Sequence, residues 1–361
     1  MRNQVKSLSM CAFGVAVLLA VCLSAMRSFA TLNKNYLPPK VTQICKVDLG
    51  DFVGGLAFAP DDSMLAAAGF NRRVKIWDTN KWAVIRDLKH PGEVTDLAFS
   101  PNVPLLATVT NDNDASAMWL WDVANGKKVG GYTEANKEAI ISAIAFTPNG
   151  NLLAIGLNTG TVKLLNIENP QDIKVTCDKL LTFDSGISSL SFSPNGELLA
   201  VGAGKGISGP KDFGTFKVIE VKTGKEVFKN TALAIIYNLA FSPDGQVLAV
   251  AGAKTSKAGT KLTLNLFATG RWIPTGKFDE YPVGTGLSFS KDGRWLVSAF
   301  PNPPGAEIAV MESLKKYATY PTKTKTALTA LALSSDGKSI AVGDEKGAIT
   351  ISSIELKAKD K

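Results

Sequence analysis

One short pattern recurs seven times along the chain, and it leaves little freedom for the fold. It reads LAFAPDD at 56–62, LAFSPNV at 97–103, IAFTPNG at 144–150, LSFSPNG at 190–196, LAFSPDG at 239–245, LSFSKDG at 287–293 and LALSSDG at 331–337. The third positions are Phe58, Phe99, Phe146, Phe192, Phe241, Phe289 and Leu333, spaced 41, 47, 46, 49, 48 and 44 residues apart. A repeat of that length is one supersecondary unit that buries its apolar faces only by stacking on copies of itself. Within the unit at 239–252, Pro243 fixes its backbone angle while Asp244 and Gly245 supply turn chemistry, so LAFSPDG and QVLAVAG must fold back as a hairpin. A third apolar run follows each hairpin: VKIWD at 74–78, MWLWD at 118–122, VKLLN at 162–166, FKVIE at 216–220, LTLNLF at 262–267, EIAVME at 307–312 and ITISSIE at 349–355. A fourth, more polar run comes next, as in GKKVGGY at 126–132 or GKEVF at 224–228. Such short runs, punctuated by Pro and Gly and rich in Val, Ile and Phe, predict strands and disfavour helices. The inner runs are apolar at nearly every residue, as in sheets covered on both faces, and Ala66, Ala67, Ala68 and Ala251 allow close packing toward an axis.

This hairpin pattern, together with Trp77-Asp78 and Trp121-Asp122, resembles the WD-repeat family over residues 41–356. The resemblance implies an all-β, seven-bladed β-propeller with four antiparallel strands per blade. The chain departs from the family pattern at Leu165-Asn166, at Ile219-Glu220 and in the later blades, and it lacks the family's Gly-His pair. Its one histidine, His90, precedes Pro91-Gly92 near that place. The seventh unit runs out of chain after its third strand at 349–355, while QICKVDL at 43–49 has the pattern of a fourth strand. In the family an N-terminal strand completes the last blade, and closure of this kind is expected here because an unpaired edge invites association.

The chain divides on this reading into a signal segment at 1–30, a linker at 31–40, the propeller at 41–356 and a charged tail at 357–361. Arg2 and Lys6 precede an uncharged apolar run at 8–25, and Ser28-Phe29-Ala30 puts small residues at the cleavage positions, which predicts a secretory signal cut after Ala30. At 18 residues the run is also borderline for a retained anchor. Export to a bacterial periplasm or the extracellular space follows, with membrane contact only through that segment. Losing Arg2, Lys6 and Arg27 lowers the formal charge from +8 to +5, a mild basic excess that does not point to nucleic acid. Cys11 and Cys22 leave with the signal. Cys45 and Cys177 fall on opposite blades and are expected as unpaired thiols. No Asn-x-Ser/Thr acceptor occurs, so no N-glycosylation is implied.

Catalytic motifs are missing: one histidine cannot furnish a multi-His metal site, and HExxH, CxxC, GxSxG and Walker patterns do not occur. Residues 204–209 match GxGxxG but lie between strands, without the helix that would hold a pyrophosphate. Asn111, Asp112, Asn113 and Asp114 form an oxygen-rich turn lacking the glycine and glutamate of an EF-hand, so weak calcium binding at Asp112/Asp114 is left open. No cofactor, metal or catalytic residue is assigned.

In an up-and-down blade the second-to-third loop and the link to the next blade emerge on one face. Second-to-third loops are long at 111–116, 203–212, 253–259 and 300–305, all on that face. Rigid scaffolds present recognition loops in this way. Lys205, Lys211, Lys254 and Lys257 as charges, Phe213 and Phe300 as apolar anchors, and His90 in a link are therefore the expected partner contacts. The reading is an exported, monomeric, non-enzymatic scaffold for a protein or envelope component. The alternatives are a lactonase- or hydrolase-like propeller enzyme with a site at the axial mouth, or a carbohydrate binder, for which Trp82 and Trp272 are too few recurrent aromatics.

Overall fold

The computed structural model describes residues 39–112, 115–204, 214–256, 259–279, 284–300, 307–312, 316–321 and 326–355. All regular structure in them is β, arranged as seven four-stranded antiparallel sheets. A first strand, β1 (Lys40–Asp48), precedes blade 1, which comprises β2 (Val53–Phe58), β3 (Met64–Gly69), β4 (Arg73–Asp78) and β5 (Val84–Lys89). Blade 2 is β6 (Glu93–Phe99), β7 (Leu105–Asn111), β8 (Ser116–Asp122) and β9 (Lys127–Thr133). Blade 3 is β10 (Ile141–Phe146), β11 (Leu152–Leu157), β12 (Thr161–Asn166) and β13 (Lys174–Thr182). Blade 4 is β14 (Ile187–Phe192), β15 (Leu198–Ala203), β16 (Gly214–Glu220) and β17 (Glu226–Leu233). Blade 5 is β18 (Ile235–Phe241), β19 (Val247–Ser256), β20 (Gly259–Ala268) and β21 (Ile273–Asp279). Blade 6 is β22 (Thr285–Phe289), β23 (Trp295–Phe300), β24 (Glu307–Glu312) and β25 (Lys316–Pro321). The remaining sheet holds β26 (Leu328–Leu333), β27 (Ser339–Asp344) and β28 (Ala348–Glu355), with β1 paired antiparallel to β28 from Lys40↔Glu355 to Asp48↔Ala348.

The recurrent motif earns its place through its turn. In five blades the Ser or Thr after the apolar triplet donates from its hydroxyl to the Asn or Asp two residues on and accepts the N–H five residues on. The bonds are Thr147–Asn149–Leu152, Ser193–Asn195–Leu198, Ser242–Asp244–Val247, Ser290–Asp292–Trp295 and Ser334–Asp336–Ser339. In these five hairpins the turn is held by contacts within six residues of chain. The following glycine, with φ near +70° at Gly245, relieves the left-handed turn position.

Stacking supplies the core. The second strands are buried at almost every residue, because neighbouring blades cover both of their faces. Apolar clusters fill the gaps between consecutive sheets, such as Val109 and Met118 of blade 2 against Ile141 and Ile155 of blade 3. The same holds between the last sheet and blade 1, where Ala341, Ile349 and Ile351 meet Val53, Leu65 and Trp77. The first strands of the sheets contact one another in succession, and β26 touches β2.

Where the last sheet meets blade 1, Asp62 replaces the turn glycine and holds φ at 60°. Its carboxylate accepts the backbone N–H groups of Ser335 (2.6 Å) and Asp336 (2.9 Å) in the turn of the last sheet. The strained backbone is thus offset by two charge-assisted hydrogen bonds between the two ends of the chain. Replacing Asp62 by Ala keeps the strain and loses the bonds, a cost of about 2 kcal/mol in urea unfolding. Asp62→Gly removes both and should cost about half as much; equal losses for the two variants would contradict this account.

Candidate interaction face and axial mouth

Chain direction places the blade links and the second-to-third hairpins on one face, called here the link face. Two of the loops expected to be long are built differently. In blade 2, Asn111 pairs with Ser116 and the Asp112 N–H donates to the Ala115 carbonyl (3.2 Å), so the ladder runs on to residues 112 and 115. In blade 5 the extra length is strand: β19 and β20 stay paired through Lys254↔Lys261, Thr255↔Thr260 and Ser256↔Gly259. The ladder therefore runs past the ends of the neighbouring second strands as a two-stranded tongue, since backbone pairing persists where a loop was expected.

Of the expected contact residues, Lys254 lies in this tongue, half-buried, with its charge near Asp279. Phe300 is the last residue of β23, opposite Glu307, at the link-face end of the next blade. Lys205, Lys211, Phe213 and Lys257 lie outside the described residues, as does Asp114 of the oxygen-rich turn. Among the described residues no cluster of three or more His, Cys, Asp or Glu has metal-binding geometry. Cys45 and Cys177 are free, half-buried thiols.

His90 is corrected from surface contact to core. Only 7% exposed, it donates from Nδ1 to the Leu88 carbonyl (3.1 Å) and accepts at Nε2 from the Thr108 hydroxyl (2.9 Å), which itself accepts the Trp121 indole N–H (3.1 Å). The ring also packs on Trp121, with centroids 4.8 Å apart. Burial depresses its pKa to about 4, so the imidazole is neutral near pH 7 and serves blade 2 internally. Trp82 and Trp272 sit in the turns before the fourth strands, with φ of 53° and 54°. Trp272 stacks on Phe228 of the preceding blade (5.2 Å, 12°), so its ring locks two blades together and presents no recurrent aromatic surface.

Sequence reasoning missed one residue. Each first strand carries a bulge at its start, between Val53/Gly55, Val94/Asp96, Ile141/Ala143, Ile187/Ser189, Ile236/Asn238, Thr285/Leu287 and Leu328/Ala330. A bulge bends the strand and re-aims side chains, here around the axis. Five first strands line a cavity of about 540 Å³ whose walls include Thr95, Asp96, Ser142, Ser188, Ser189 and Asn238. Of the residues lining it, only Asp96 is ionisable. Its carboxylate accepts the N–H of Leu97 (2.8 Å) and of Ile144 in the next blade (3.3 Å). Burial pushes its pKa up to about 7 against the pull of those two N–H groups. The signal was present in the sequence: six repeats place Gly55, Ala143, Ser189, Asn238, Gly286 and Ala330 where this one has a carboxylate.

Sheets stacked side by side around a polar axial cavity define a β-propeller built from repeats. Comparison with known proteins agrees. The family model for the WD domain, G-beta repeat, matches residues 43–78 and 177–207, and that for the anaphase-promoting complex subunit 4 WD40 domain matches 97–179. Similar proteins include the small ribosomal subunit protein RACK1 of Candida albicans, 30% identical over 33% of this chain and 38% of its own length. Pre-mRNA-processing factor 19 homolog 2 of Arabidopsis thaliana is 32% identical over 27% of this chain and 18% of its own length. Actin-interacting protein 1 of Drosophila melanogaster is 25% identical over 37% and 22% respectively. The chain thus spans less than two-fifths of each of these relatives. The fold and these matches together support a WD-repeat β-propeller. The match at 43–78 covers β1 together with β2–β4, so the sequence repeat is offset by one strand from the sheet.

Proposed function

We propose that this protein is an exported, monomeric, non-enzymatic scaffold: a seven-bladed ring, sealed by its N-terminal strand, that binds another protein through the link face. The observation that carries the reading is the paired β19–β20 tongue, which rises on that face from the same blade that contributes Asn238 to the axial mouth. A fixed projection beside a concave polar mouth is the geometry of a recognition surface on a stiff frame. Two of the similar proteins, a ribosomal subunit protein and an actin-interacting protein, bear names that fit a fold that works by contact. Deleting 255–260 together with 205–212 should abolish recovery of the specific cross-linked partner while the protein still melts cooperatively. Undiminished recovery from the folded variant would sink the proposal.

Export rests on Arg2 and Lys6, the apolar run at 8–25 and the small residues before position 31. The intact mass of the exported protein should lack residues 1–30, and a full-length mass would replace cleavage with anchoring. A hydrolase-like site at the axial mouth would rest on Asp96. Turnover of a lactone or ester panel that disappears in Asp96→Asn would favour it.

A further inference from the structure

We propose that the axial mouth receives the cationic end of a polypeptide side chain, a lysine ammonium or arginine guanidinium, with the Asp96 carboxylate as its counter-charge. This rests on the reading of the link face as the binding surface and specifies the chemistry at its centre. Three observations carry it.

The charge does no structural work that a neutral group could not do. In blade 4 the Ser189 hydroxyl stands at the position equivalent to Asp96 and accepts the Leu239 N–H of the next blade (3.1 Å), the same inter-blade bridge that Asp96 makes to Ile144. A serine suffices for the bridge. The bridge therefore does not require a carboxylate at this position.

No cation among the residues lining the cavity faces that carboxylate. Further polar side chains line the same cavity: the Ser188 hydroxyl, buried and without a hydrogen-bond partner among the described residues, and the Asn238 amide, each with an oxygen able to accept. An ammonium or guanidinium brings only donors, so an acceptor-rich pit with one negative charge is complementary to it.

The space also fits. The other six repeats put glycine, alanine, serine or asparagine at the axial position, which leaves a cavity of about 540 Å³, larger than one lysine or arginine side chain. A long aliphatic stem entering from the link face can reach Asp96 with its charged head while its backbone stays outside.

The test uses the full-length protein with ¹³C-labelled aspartate carboxyls, the Asp96 resonance being assigned through the Asp96→Ser variant. The protein is titrated at pH 8 with capped, glycine-flanked peptides centred on lysine, arginine or norleucine, and with free n-butylammonium. Saturable shifts of the Asp96 resonance are expected with the lysine or arginine peptide, at least about tenfold tighter than with the norleucine peptide or n-butylammonium. Asp96→Ser, which keeps the bridge that blade 4 makes with serine, should melt no lower than wild type and bind the same peptide at least about tenfold more weakly. Equal binding of the norleucine peptide, undiminished binding by Asp96→Ser, or no Asp96 shift at millimolar peptide would overturn the proposal. Tighter binding of n-butylammonium than of either peptide would reassign the mouth to free amines and overturn it as well. The link-face reading fails by a different result, undiminished partner recovery from the 255–260 and 205–212 deletion.

Discussion

Deleting residues 41–49 should lower the melting temperature by more than about 10 °C and drive the protein into aggregates. The deleted stretch includes most of β1, so β28 loses its neighbour over nearly its whole length and becomes a bare edge. Leu49, only 1% exposed, is lost from the cluster where the last sheet meets blade 1, along with the partly buried Cys45 and Val47. Removing one such leucine side chain costs about 2–5 kcal/mol on its own. Its carbonyl also accepts the Asn71 side-chain N–H (2.9 Å), which the deletion leaves without that acceptor. A synthetic peptide spanning 40–49, added in excess, should restore part of the lost stability by mass action. Melting unchanged by the deletion would remove ring closure from the account.

Between pH 7 and pH 4 the wild-type protein should show little net change in stability from its two most perturbed groups, because they oppose each other. His90 has a folded-state pKa of about 4, below its ordinary value of 6.5. The unfolded chain therefore takes up the proton first, and stability present above pH 6.5 is lost as pH falls toward 4, by about 3 kcal/mol. Asp96 runs the other way: its folded pKa of about 7 lies above the ordinary 3.8. The folded state takes up the proton first, so stability rises as pH falls from 7 to 3.8, also by about 3 kcal/mol after allowance for water reaching the cavity side of the carboxyl. His90→Gln retains a donor and an acceptor without titrating, and should expose a rise in stability on acidification. Asp96→Asn should expose a fall over the same range, and at pH 8 it should be more stable than wild type by about 2 kcal/mol. Urea titrations at pH 4.5, 6 and 8 read all three curves. Parallel curves would show that neither group is enclosed as described. A gain in stability from removing Asp96 is what a residue kept for binding predicts.

The all-β architecture and the four-stranded blade were legible because the turn that starts each hairpin is encoded within seven residues. The Ser242 hydroxyl, Asp244 and Gly245 make that turn with one another and need no tertiary contact to be recognised. The site was less legible because its features depend on pairing and depth. Residues 253–259 read as a loop, with Lys254, Thr255, Ser256 and Gly259 suggesting polarity, yet cross-strand pairing continues from Ala253 to Ser256, which faces Gly259, and polar composition alone does not end a ladder on a solvated face. His90 beside Pro91-Gly92 reads as a link residue, and only its distance to Thr108, 18 positions away, shows that it is core. Asp96 was hidden by its neighbours, since Val94 and Leu97 mark the strand as apolar, and only the bulge between Val94 and Asp96 brings its carboxylate to the axial cavity.

The most direct test of the central claim compares a photo-crosslinking residue at Lys254, on the link-face tongue, with one at Lys222, in the exposed turn between β16 and β17 on the opposite face. The account predicts a discrete partner adduct from position 254 and none from position 222, and the reverse pattern would contradict it.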